Sequence, residues 1–237
     1  NKKLGEGNFA ITYKAEILAT KRPVALKVPK GKVTNAEANK EMKSLIEIGR
    51  HRNILDFIGL VQFKSAPCFM TDFCEKGSIE DLHDELDLHT DAMLRHIAAS
   101  ISRGLHHLHS RKMVHRDIAC RNLLMKGDGT VVIADFGLTR TLTSGGHVNS
   151  AATPFSGSGG YSGPSNTAWP WTAPEAFPPN GVFSEKADIY ALGITLWEIV
   201  TKGGAPFDYK RLTRGEVHAQ VMKLQKGNMI ELPANIS

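Results

Sequence analysis

The sequence is poor in cysteine and has no long hydrophobic run. Its 237 residues include three cysteines, Cys68, Cys74 and Cys120, without a C-x-x-C pair or the Cys/His spacing that is typical of zinc sites. The spacing therefore supports neither a disulfide framework nor a zinc site, and free thiols in a reducing compartment are expected.

The longest apolar stretch, near residues 190–200, contains polar residues and is too short to span a bilayer. The amino terminus also lacks the apolar core of a signal peptide. We therefore expect a soluble chain without direct membrane insertion, complete in itself or joined to flanking domains of a larger protein.

Runs of basic residues are also absent, although the chain carries an excess of basic residues. The formal net charge is +5 and the isoelectric point is about 9.1, but no five or six Lys or Arg residues stand together. We therefore expect no nucleic-acid partner. A mildly basic surface is the simplest explanation of this charge, and binding of acidic groups such as nucleotide phosphates is the alternative. The hydrophobic content of 41% allows a sizeable core in one or two domains.

Alternating apolar and polar residues in the first part of the chain predict a small β-sheet. Short runs rich in Val, Ile, Phe, Tyr and Thr indicate four strands, at about residues 8–17, 23–28, 54–63 and 67–73. One helix is predicted at residues 35–48, because Met42, Leu45 and Ile46 lie at helical spacing there. The amino-terminal part is therefore predicted to be a sheet that carries one helix.

Helical periodicity dominates after Gly77. A long helix is predicted from apolar residues three and four positions apart: Leu94, Ile97, Ile101, Leu105 and Leu108. A second helix is predicted at about residues 184–201, with Ser184 as its N-cap. Its expected inward face consists of Ile189, Leu192, Leu196, Trp197 and Val200. Between the helices, apolar triplets at 123–125 and 131–133 flank a Lys-Gly-Asp-Gly turn, which predicts a hairpin.

Two weaker signals for a phosphate site precede the strongest motif. Leu4-Gly5-Glu6-Gly7 stands at a predicted strand-turn-strand, where glycines let backbone N–H groups approach a phosphate because no Cβ intervenes. Considered alone, a glycine-containing hairpin without a ligand explains this pattern better. Lys27 lies in the middle of a predicted strand, and Glu41 follows fourteen residues later on the predicted helix. Each of these two charges, considered alone, is also typical of an ordinary surface residue.

The strongest motif is Val114-His115-Arg116-Asp117-Ile118-Ala119-Cys120-Arg121-Asn122, which Asp135-Phe136-Gly137 follows. Together with the glycine loop, Val24-Ala25-Leu26-Lys27, Glu41 and Ala173-Pro174-Glu175, it makes the sequence resemble the protein kinase family, in particular the tyrosine kinase group. The resemblance implies an α+β, two-lobed kinase-like fold. Residues 1–73 would form a small β-rich N-lobe with one helix, and residues 74–237 a larger, mainly helical C-lobe. The family continues beyond Pro233, so further C-terminal helices are expected to be missing here.

The resemblance implies ATP as the phosphoryl donor, with Mg²⁺ or Mn²⁺ as the metal ion. Lys27, braced by Glu41, would hold the α- and β-phosphates, and Asp117 would accept the proton of the substrate hydroxyl. Asn122 and Asp135 would ligate the metal ions, because Mg²⁺ prefers hard oxygen ligands.

The same resemblance assigns the adenine site to residues of both lobes. Backbone groups at Asp72 to Cys74, in the linker between the lobes, would bind the adenine, and Thr71 would control access behind it. The other expected contacts are Leu4, Gly5, Gly7, Ala25, Lys27 and Leu124. Two positions depart from the family pattern and would affect ATP affinity, because the third glycine of the loop is Ala10 and the usual valine beneath the adenine is Thr12.

The expected acceptor is a tyrosine in a protein substrate. Serine/threonine kinases usually place a lysine two residues after the catalytic aspartate, where this chain has Ala119. Arg121, which we count among the catalytic residues, and the segment from Trp171 to Glu175 are similar to tyrosine kinases, whereas Ala168 and Pro170 are not. A serine/threonine or dual-specificity kinase is one alternative, and a pseudokinase that acts as a nucleotide-binding or scaffolding module is another. The implied location is cytoplasmic, including the cytoplasmic portion of a membrane receptor.

A regulatory role is one interpretation of one long segment, and several reactive residues are expected to be structural. Residues 141–170 are rich in Gly, Ser, Thr and Pro without periodicity, which indicates a functional or disordered loop. Tyr161 lies in it, and its phosphate would pair with Arg116 and order the loop, while an unmodified exposed tyrosine is an equal alternative. Four other residues are expected to be structural, either as solvated helix residues or, for the cysteine, as small packing: His106, His107, His109 and Cys120.

Overall fold

A five-stranded antiparallel sheet and one helix occupy the first third of the chain. The computed structural model describes residues 2–6, 10–30, 35–63, 66–84, 90–149, 169–177, 181–208 and 210–224. The strands lie in the order β1-β2-β3-β5-β4. They are β1 (Lys3–Glu6), β2 (Ala10–Ile17), β3 (Arg22–Pro29), β4 (Phe57–Phe63) and β5 (Ala66–Asp72), and helix α1 (Asn35–Ile48) follows β3. The predicted sheet with one helix is confirmed.

The start of β4 differs from the prediction because residues 54–56 leave the sheet to contact the rest of the molecule. Ile54 forms an isolated parallel bridge with Ile133. The N–H of Leu55 donates to the carbonyl oxygen of Ile133 at 2.9 Å. Both Ile54 and Leu55 are almost fully buried, so this segment attaches the sheet to the helical part.

The second part of the chain contains three described helices and several short strands. The helices are α2 (Asp91–Ser110), α3 (Glu185–Val200) and α4 (Arg214–Leu224). The strands are β6 (Gly77–Ser78), β7 (Met113–Val114), β8 (Leu123–Met125), β9 (Val131–Ile133), β10 (Arg140–Thr141), β11 (Val148–Asn149) and β12 (Val182–Phe183). The sheet β6-β8-β9 contains the predicted hairpin, and β7 pairs with β10 while β11 pairs with β12.

Helix α2 forms the centre of the helical part. It begins after Thr90, whose Oγ1 accepts a hydrogen bond from the N–H of Met93 at 3.3 Å. Four of its five predicted inward residues are buried: Ile97, Ile101, Leu105 and Leu108. At Gly104 a Cβ would lie 2.8 Å from both the Asn53 carbonyl oxygen and Ile133 Cδ1, so the helix packs directly on β9. Among the described helices, none combines the length and the apolar character that crossing a membrane requires.

The predicted inward face of α3 is confirmed only in part, because Leu192 and Leu196 are partly buried against the core but Ile189 is not. Ile189 is 53% exposed, and the buried side of the helix instead includes three polar residues, Asp188, Thr195 and Glu198. A helix that is apolar around most of its circumference gives no clear period, so its orientation cannot be read from hydropathy. Ser184 is the N-cap residue, as predicted.

The prediction that the α2 histidines are solvated is wrong for two of the three. His107 Nε2 donates to the carbonyl oxygen of Ile48 at 3.0 Å. His109 Nε2 donates to Asp188 Oδ2 at 2.9 Å, and its side chain is mostly buried. His106 is exposed, as expected. These contacts attach α2 to α1 and to α3.

A stacked histidine pair predicts that stability falls at mildly acidic pH. The rings of His51 and His107 stack with centroids 4.7 Å apart. Burial, followed by the charges of His107 and Arg103, lowers the pKa of His51. The unfolded chain therefore binds this proton more readily than the folded chain does. The contribution of His51 to stability is complete above the unfolded pKa of about 6.5 and is lost as the pH falls below it.

We expect urea unfolding to show a smaller acid-induced loss of stability in His51→Gln than in the parent. The exposed control His96→Gln should behave like the parent, and an unchanged pH dependence in His51→Gln would contradict the interpretation.

Candidate functional site

An ion pair between β3 and α1 forms one side of the site. Lys27 Nζ lies 2.5 Å from Glu41 Oε1, and both side chains are mostly buried. Glu41 also accepts a hydrogen bond from the backbone N–H of Phe136. Burial alone would lower the pKa of Lys27, but the carboxylates of Glu41 and Asp135 outweigh it and hold that pKa above its ordinary value. Lys27 is thus a positive charge that Glu41 holds in place and that the charge of Asp135 also stabilises.

The segment from Asp117 to Asn122 brings together a carboxylate, a guanidinium and an amide. Arg121 forms an ion pair with Asp117 Oδ1. Asn122 Nδ2 donates to the backbone oxygen of Asp117 at 2.8 Å and to its Oδ2 at 2.7 Å. The Arg121 guanidinium also lies 5.1 Å from the ring centroid of Trp171. Because the amide nitrogen of Asn122 is engaged by Asp117, its amide oxygen is the atom that can serve as a ligand.

Two residues of this region have left-handed backbone conformations. Arg116 has a φ of 73° and Asp135 a φ of 60°. Such conformations cost non-glycine residues of order 1–3 kcal/mol and persist where the surrounding structure enforces them. The side chain of Asp135 is exposed, and its Oδ1 accepts a long hydrogen bond from the N–H of Gly137 at 3.4 Å. The backbone therefore presents the Asp135 carboxylate to solvent rather than to the core.

His115 connects the two segments that carry these groups. Its Nε2 lies 3.0 Å from the carbonyl oxygen of Ala134, and its Nδ1 lies 3.2 Å from the backbone nitrogen of Asp117. A carbonyl oxygen only accepts and a backbone N–H only donates, so the ring is neutral with its proton on Nε2. The fully buried ring also packs edge-on against Phe136, with centroids 5.0 Å apart. These contacts fix the position of the segment that carries Asp117 relative to the segment that carries Asp135.

Two carboxylates of α3 that the sequence did not single out also hold this region in place. Asp188 accepts hydrogen bonds from the N–H groups of His115 and Arg116, both at 2.9 Å. Glu198 Oε2 accepts from the N–H of Cys120 at 3.3 Å, and burial raises the pKa of Glu198. The available signal was the presence of two carboxylates inside an otherwise apolar helix.

The residues expected around an adenine lie on the sheet and on β8. Thr71 and Ala25 are buried and stand opposite each other in the β3–β5 ladder. The Asp72 carboxylate pairs with Arg22 at 2.7 Å and with Lys126 at 2.5 Å, so Asp72 can offer a ligand only its backbone. The remaining expected residues are Leu4 and Gly5 on β1, Cys74 after β5, and Leu124 on β8.

Several predictions near this site fall on residues beyond those that the structure describes. They concern Gly7 of the glycine loop, Tyr161 and Ala168. At Gly5, a Cβ would meet no atom within 4 Å, so packing of the described residues does not itself require glycine there. Thr12, one of the departures from the family pattern, pairs with Lys27 in the β2–β3 ladder.

The comparison with protein families decides the identity of the fold. A family model described as protein tyrosine and serine/threonine kinase matches residues 1–237. The chain belongs to the protein kinase family. This kinase domain is 32% identical over 236 residues to the serine/threonine-protein kinase STY17 of Arabidopsis thaliana, covering 98% of this chain and 38% of that protein. It is 31% identical over 231 residues to the megakaryocyte-associated tyrosine-protein kinase of Mus musculus, covering 97% of this chain and 41% of that protein.

The relatives of the kinase domain include enzymes named for different acceptor residues. A third, the tyrosine-protein kinase Abl of Drosophila melanogaster, is 31% identical over 233 residues, which cover 98% of this chain and 13% of that protein. The chain thus spans less than half the length of these curated relatives. Because both serine/threonine and tyrosine kinases are similar to it to the same degree, their names do not select an acceptor residue.

Proposed function

We propose that this kinase domain transfers the γ-phosphoryl group of ATP to a protein hydroxyl, and that the acceptor is tyrosine. The observation that carries the proposal is the Lys27 ammonium, held by Glu41 and stabilised by the charge of Asp135. His115 joins the segment of Asp135 to that of Asp117 through Ala134 and the Asp117 backbone. Phosphoryl transfer requires positioning and stabilisation of charge on phosphoryl oxygens more than covalent chemistry by the protein. A fixed ammonium beside presented oxygen ligands meets that requirement.

The backbone hydrogen bonds after β5 support an adenine site. The N–H of Asp72 donates to the carbonyl oxygen of Asp56 at 3.1 Å, and the carbonyl oxygen of Cys74 accepts from the N–H of Gly77 at 3.2 Å. Asp72 would therefore offer its carbonyl oxygen to the adenine, and Cys74 its N–H. Leu4, Ala25, Thr71 and Leu124 would line the base. Gly5 and Gly7 would approach the phosphates, and Lys27 would bind the α- and β-phosphate oxygens.

The donor set of the site fits a hard divalent cation. Asp135 presents a carboxylate, and Asn122 presents the amide oxygen opposite the nitrogen that Asp117 engages. Oxygen ligands of this kind suit Mg²⁺ or Mn²⁺. When bound, the ion neutralises charge that develops on the phosphoryl oxygens. The chain's own part is to hold these two oxygens in place, Asn122 through its hydrogen bonds to Asp117.

Asp117 is the residue that we propose to accept the proton of the substrate hydroxyl. Asn122 fixes its Oδ2 and Arg121 its Oδ1, so the carboxylate cannot rotate freely. A positioned carboxylate orients the hydroxyl and takes its proton as the bond to phosphorus forms. Arg121 and Asn122 thus act in catalysis through the carboxylate that they hold.

The tyrosine assignment depends on the surroundings of this carboxylate. Ala119 stands where serine/threonine kinases usually carry lysine, and Arg121 pairs with Asp117 while lying over Trp171. A phenol is longer than an alkyl hydroxyl, so its platform must lie farther from Asp117. The segment that begins at Trp171 provides aromatic surface at that side of Arg121. A serine/threonine acceptor is the second candidate, because relatives of that kind are equally similar.

Two further sequence predictions stay proposals. The boundary between an N-lobe of residues 1–73 and a C-lobe of residues 74–237 agrees with the end of β5 at Asp72 and with the pairing of β6 to β8. Phosphorylation of Tyr161 would bring a phosphate to Arg116, whose guanidinium lies 4.2 Å from the ring centroid of Phe183. Limited proteolysis would test the boundary between the lobes, and a Tyr161→Phe variant would test the role of the phosphate.

A peptide-labelling experiment tests the proposed reaction. Three peptides that differ only in carrying tyrosine, serine or threonine are incubated with labelled ATP and Mg²⁺. We expect label in the tyrosine peptide alone, and a loss of about 10²–10⁴-fold in rate for Asp117→Asn, because the proton acceptor is removed. The exposed control Asp84→Asn should retain the parent rate. Label in the serine or threonine peptide would refute the tyrosine assignment, and failure of the folded protein to bind Mg²⁺-nucleotide would refute the enzyme itself.

A further inference from the structure

Three side chains of metal-ligand type lie together inside the helical part, and none of them is among the groups proposed to bind nucleotide, Mg²⁺ or acceptor. They are His83, Cys120 and Glu198, and one ligand atom from each lies within 4.8 Å of the other two. All three are buried, with exposures of 9%, 0% and 6%. They come from different places in the fold, namely the turn after β6, the 3₁₀ turn that follows Asp117, and helix α3.

An imidazole, a thiol and a carboxyl group are buried together at this point of the core. Polar and charged groups lose hydration on burial, and that loss must be recovered by hydrogen bonds, ion pairs or metal coordination. Exposed carboxylates often cluster without binding any ion, but these three groups are shielded from water. Their burial together therefore points to a bound cation more strongly than a surface cluster would.

The ligand set indicates zinc. Thiolate, imidazole and carboxylate are the three side-chain ligands that Zn²⁺ uses, at distances of about 2.3, 2.0–2.1 and 2.0–2.2 Å. In tetrahedral geometry these bond lengths place ligand atoms about 3.3–3.6 Å apart. The widest separation in the observed group, up to 4.8 Å, must therefore shorten by about 1.2–1.5 Å on binding. Mg²⁺ and Ca²⁺ are disfavoured because they prefer oxygen ligands only.

Neighbouring contacts hold the three ligands near these positions. The N–H of Cys120 donates to Glu198 Oε2 at 3.3 Å, which leaves Oε1 for a metal ion. The ring of His83 packs on Gly203, where a Cβ would lie 3.0 Å from His83 Cδ2. Outer contacts of this kind orient ligands and strengthen metal binding.

The charges around the cluster are also appropriate for a dication. Glu80 and Arg121 both act electrostatically on Cys120 and on Glu198. Arg121 is already paired with Asp117, so a cation bound beside Glu198 and Glu80 would not face an unpaired positive charge. On binding, the thiol proton of Cys120 would pass to solvent as the sulfur–zinc bond forms.

We propose that His83, Cys120 and Glu198 form a zinc site, with a fourth position for water, that ties the 3₁₀ turn at Cys120–Asn122 to helix α3. The ion would act as a brace for the loop that carries Asp117 and would take no part in phosphoryl transfer. Sequence spacing could not reveal it, because its ligands lie 37 and 78 residues apart. Zinc binding at this site does not depend on whether the proposed kinase reaction occurs.

Metal analysis of the purified, folded chain tests the site. After equilibration with Zn²⁺ and dialysis against a weak chelator, we expect about one zinc per chain. Substitution of Co²⁺ should give a thiolate-to-cobalt charge-transfer absorption. Cys120→Ala should abolish that absorption and weaken zinc binding by more than about 100-fold, since loss of a direct ligand should exceed the effect of losing an outer contact. The matched control Cys68→Ala removes another buried cysteine and should keep both the zinc and the absorption.

A second variant keeps the test decisive if Cys120→Ala does not fold. His83→Gln removes the ligand outside the 117–122 segment and should lose zinc while its thermal unfolding without metal stays cooperative. Added zinc should raise the Tm of the parent and of Cys68→Ala, but not that of His83→Gln. A folded parent that retains no zinc would overturn the proposal, as would equal zinc retention by the parent and His83→Gln.

Discussion

Lys27→Met is expected to reduce the single-turnover rate of phosphoryl transfer by about 10²–10³-fold while the protein stays folded. This is the loss typical of removing one preorganised group that stabilises developing charge. Lys27 is held 2.5 Å from Glu41 and its pKa is raised by Glu41 and Asp135 against the effect of burial. Nucleotide affinity should fall less than the rate, because the role that we propose for the lysine is strongest in the transition state.

A substitution of Glu41, the partner of Lys27, distinguishes loss of positioning of Lys27 from loss of the lysine charge itself. Glu41→Gln keeps the shape and removes the charge that fixes Lys27, so we expect a smaller loss of about 10–100-fold. The double variant should be no slower than Lys27→Met alone, since two residues that act as a unit give non-additive effects. Lys21→Met provides the matched control, because its ion pair with Glu16 at 3.4 Å is well exposed and should have no effect on rate. A Lys27→Met protein with the parent's rate would show that another cation holds the phosphates.

The first part of the fold could be predicted because its signals are local. Helix α1 was predicted at residues 35–48 and has those bounds, since Leu45 and Ile48 face the core at helical spacing. Even here the prediction was incomplete, because Ile46 was grouped with Leu45 but is 56% exposed. Spacing identifies a helix more reliably than it identifies which apolar residues are covered.

The support of the candidate site could not be predicted because its contacts join distant parts of the chain. Asp188 lies 73 residues after His115, whose N–H it binds, and a carboxylate in an apolar helix gives no information about its partner. The motif residues themselves were recognised from their order along the chain, and the structure brings Lys27 to Glu41 and Asn122 to Asp117. Their roles toward a nucleotide depend on a ligand and stay predictions.

The largest expected effect on stability is that of Asp188→Ala, at about 3–5 kcal/mol of the free energy of unfolding. The carboxylate is 1% exposed and accepts hydrogen bonds from the N–H groups of His115 and Arg116 and from His109 Nε2, all at 2.9 Å. Alanine would leave two buried backbone donors without an acceptor, which costs the full desolvation of each. Urea unfolding followed by circular dichroism measures this loss, and Asp91→Ala, whose carboxylate is 83% exposed, should change stability by no more than about 0.5 kcal/mol.

A graded series distinguishes this support of the loop from general packing. His109→Gln removes one neighbour and leaves both backbone donors satisfied, so about 1 kcal/mol is expected. Asp188→Asn keeps the shape but has a single acceptor oxygen, so its loss of stability should lie between those of His109→Gln and Asp188→Ala. Activity should fall in the same order even where the protein is folded, because Arg116 keeps its left-handed φ of 73° only while Asp188 accepts its N–H. If Asp188→Ala matched the parent in both stability and rate, the backbone strain beside Asp117 would have to be enforced from the Asp135 side, through His115 and Phe136.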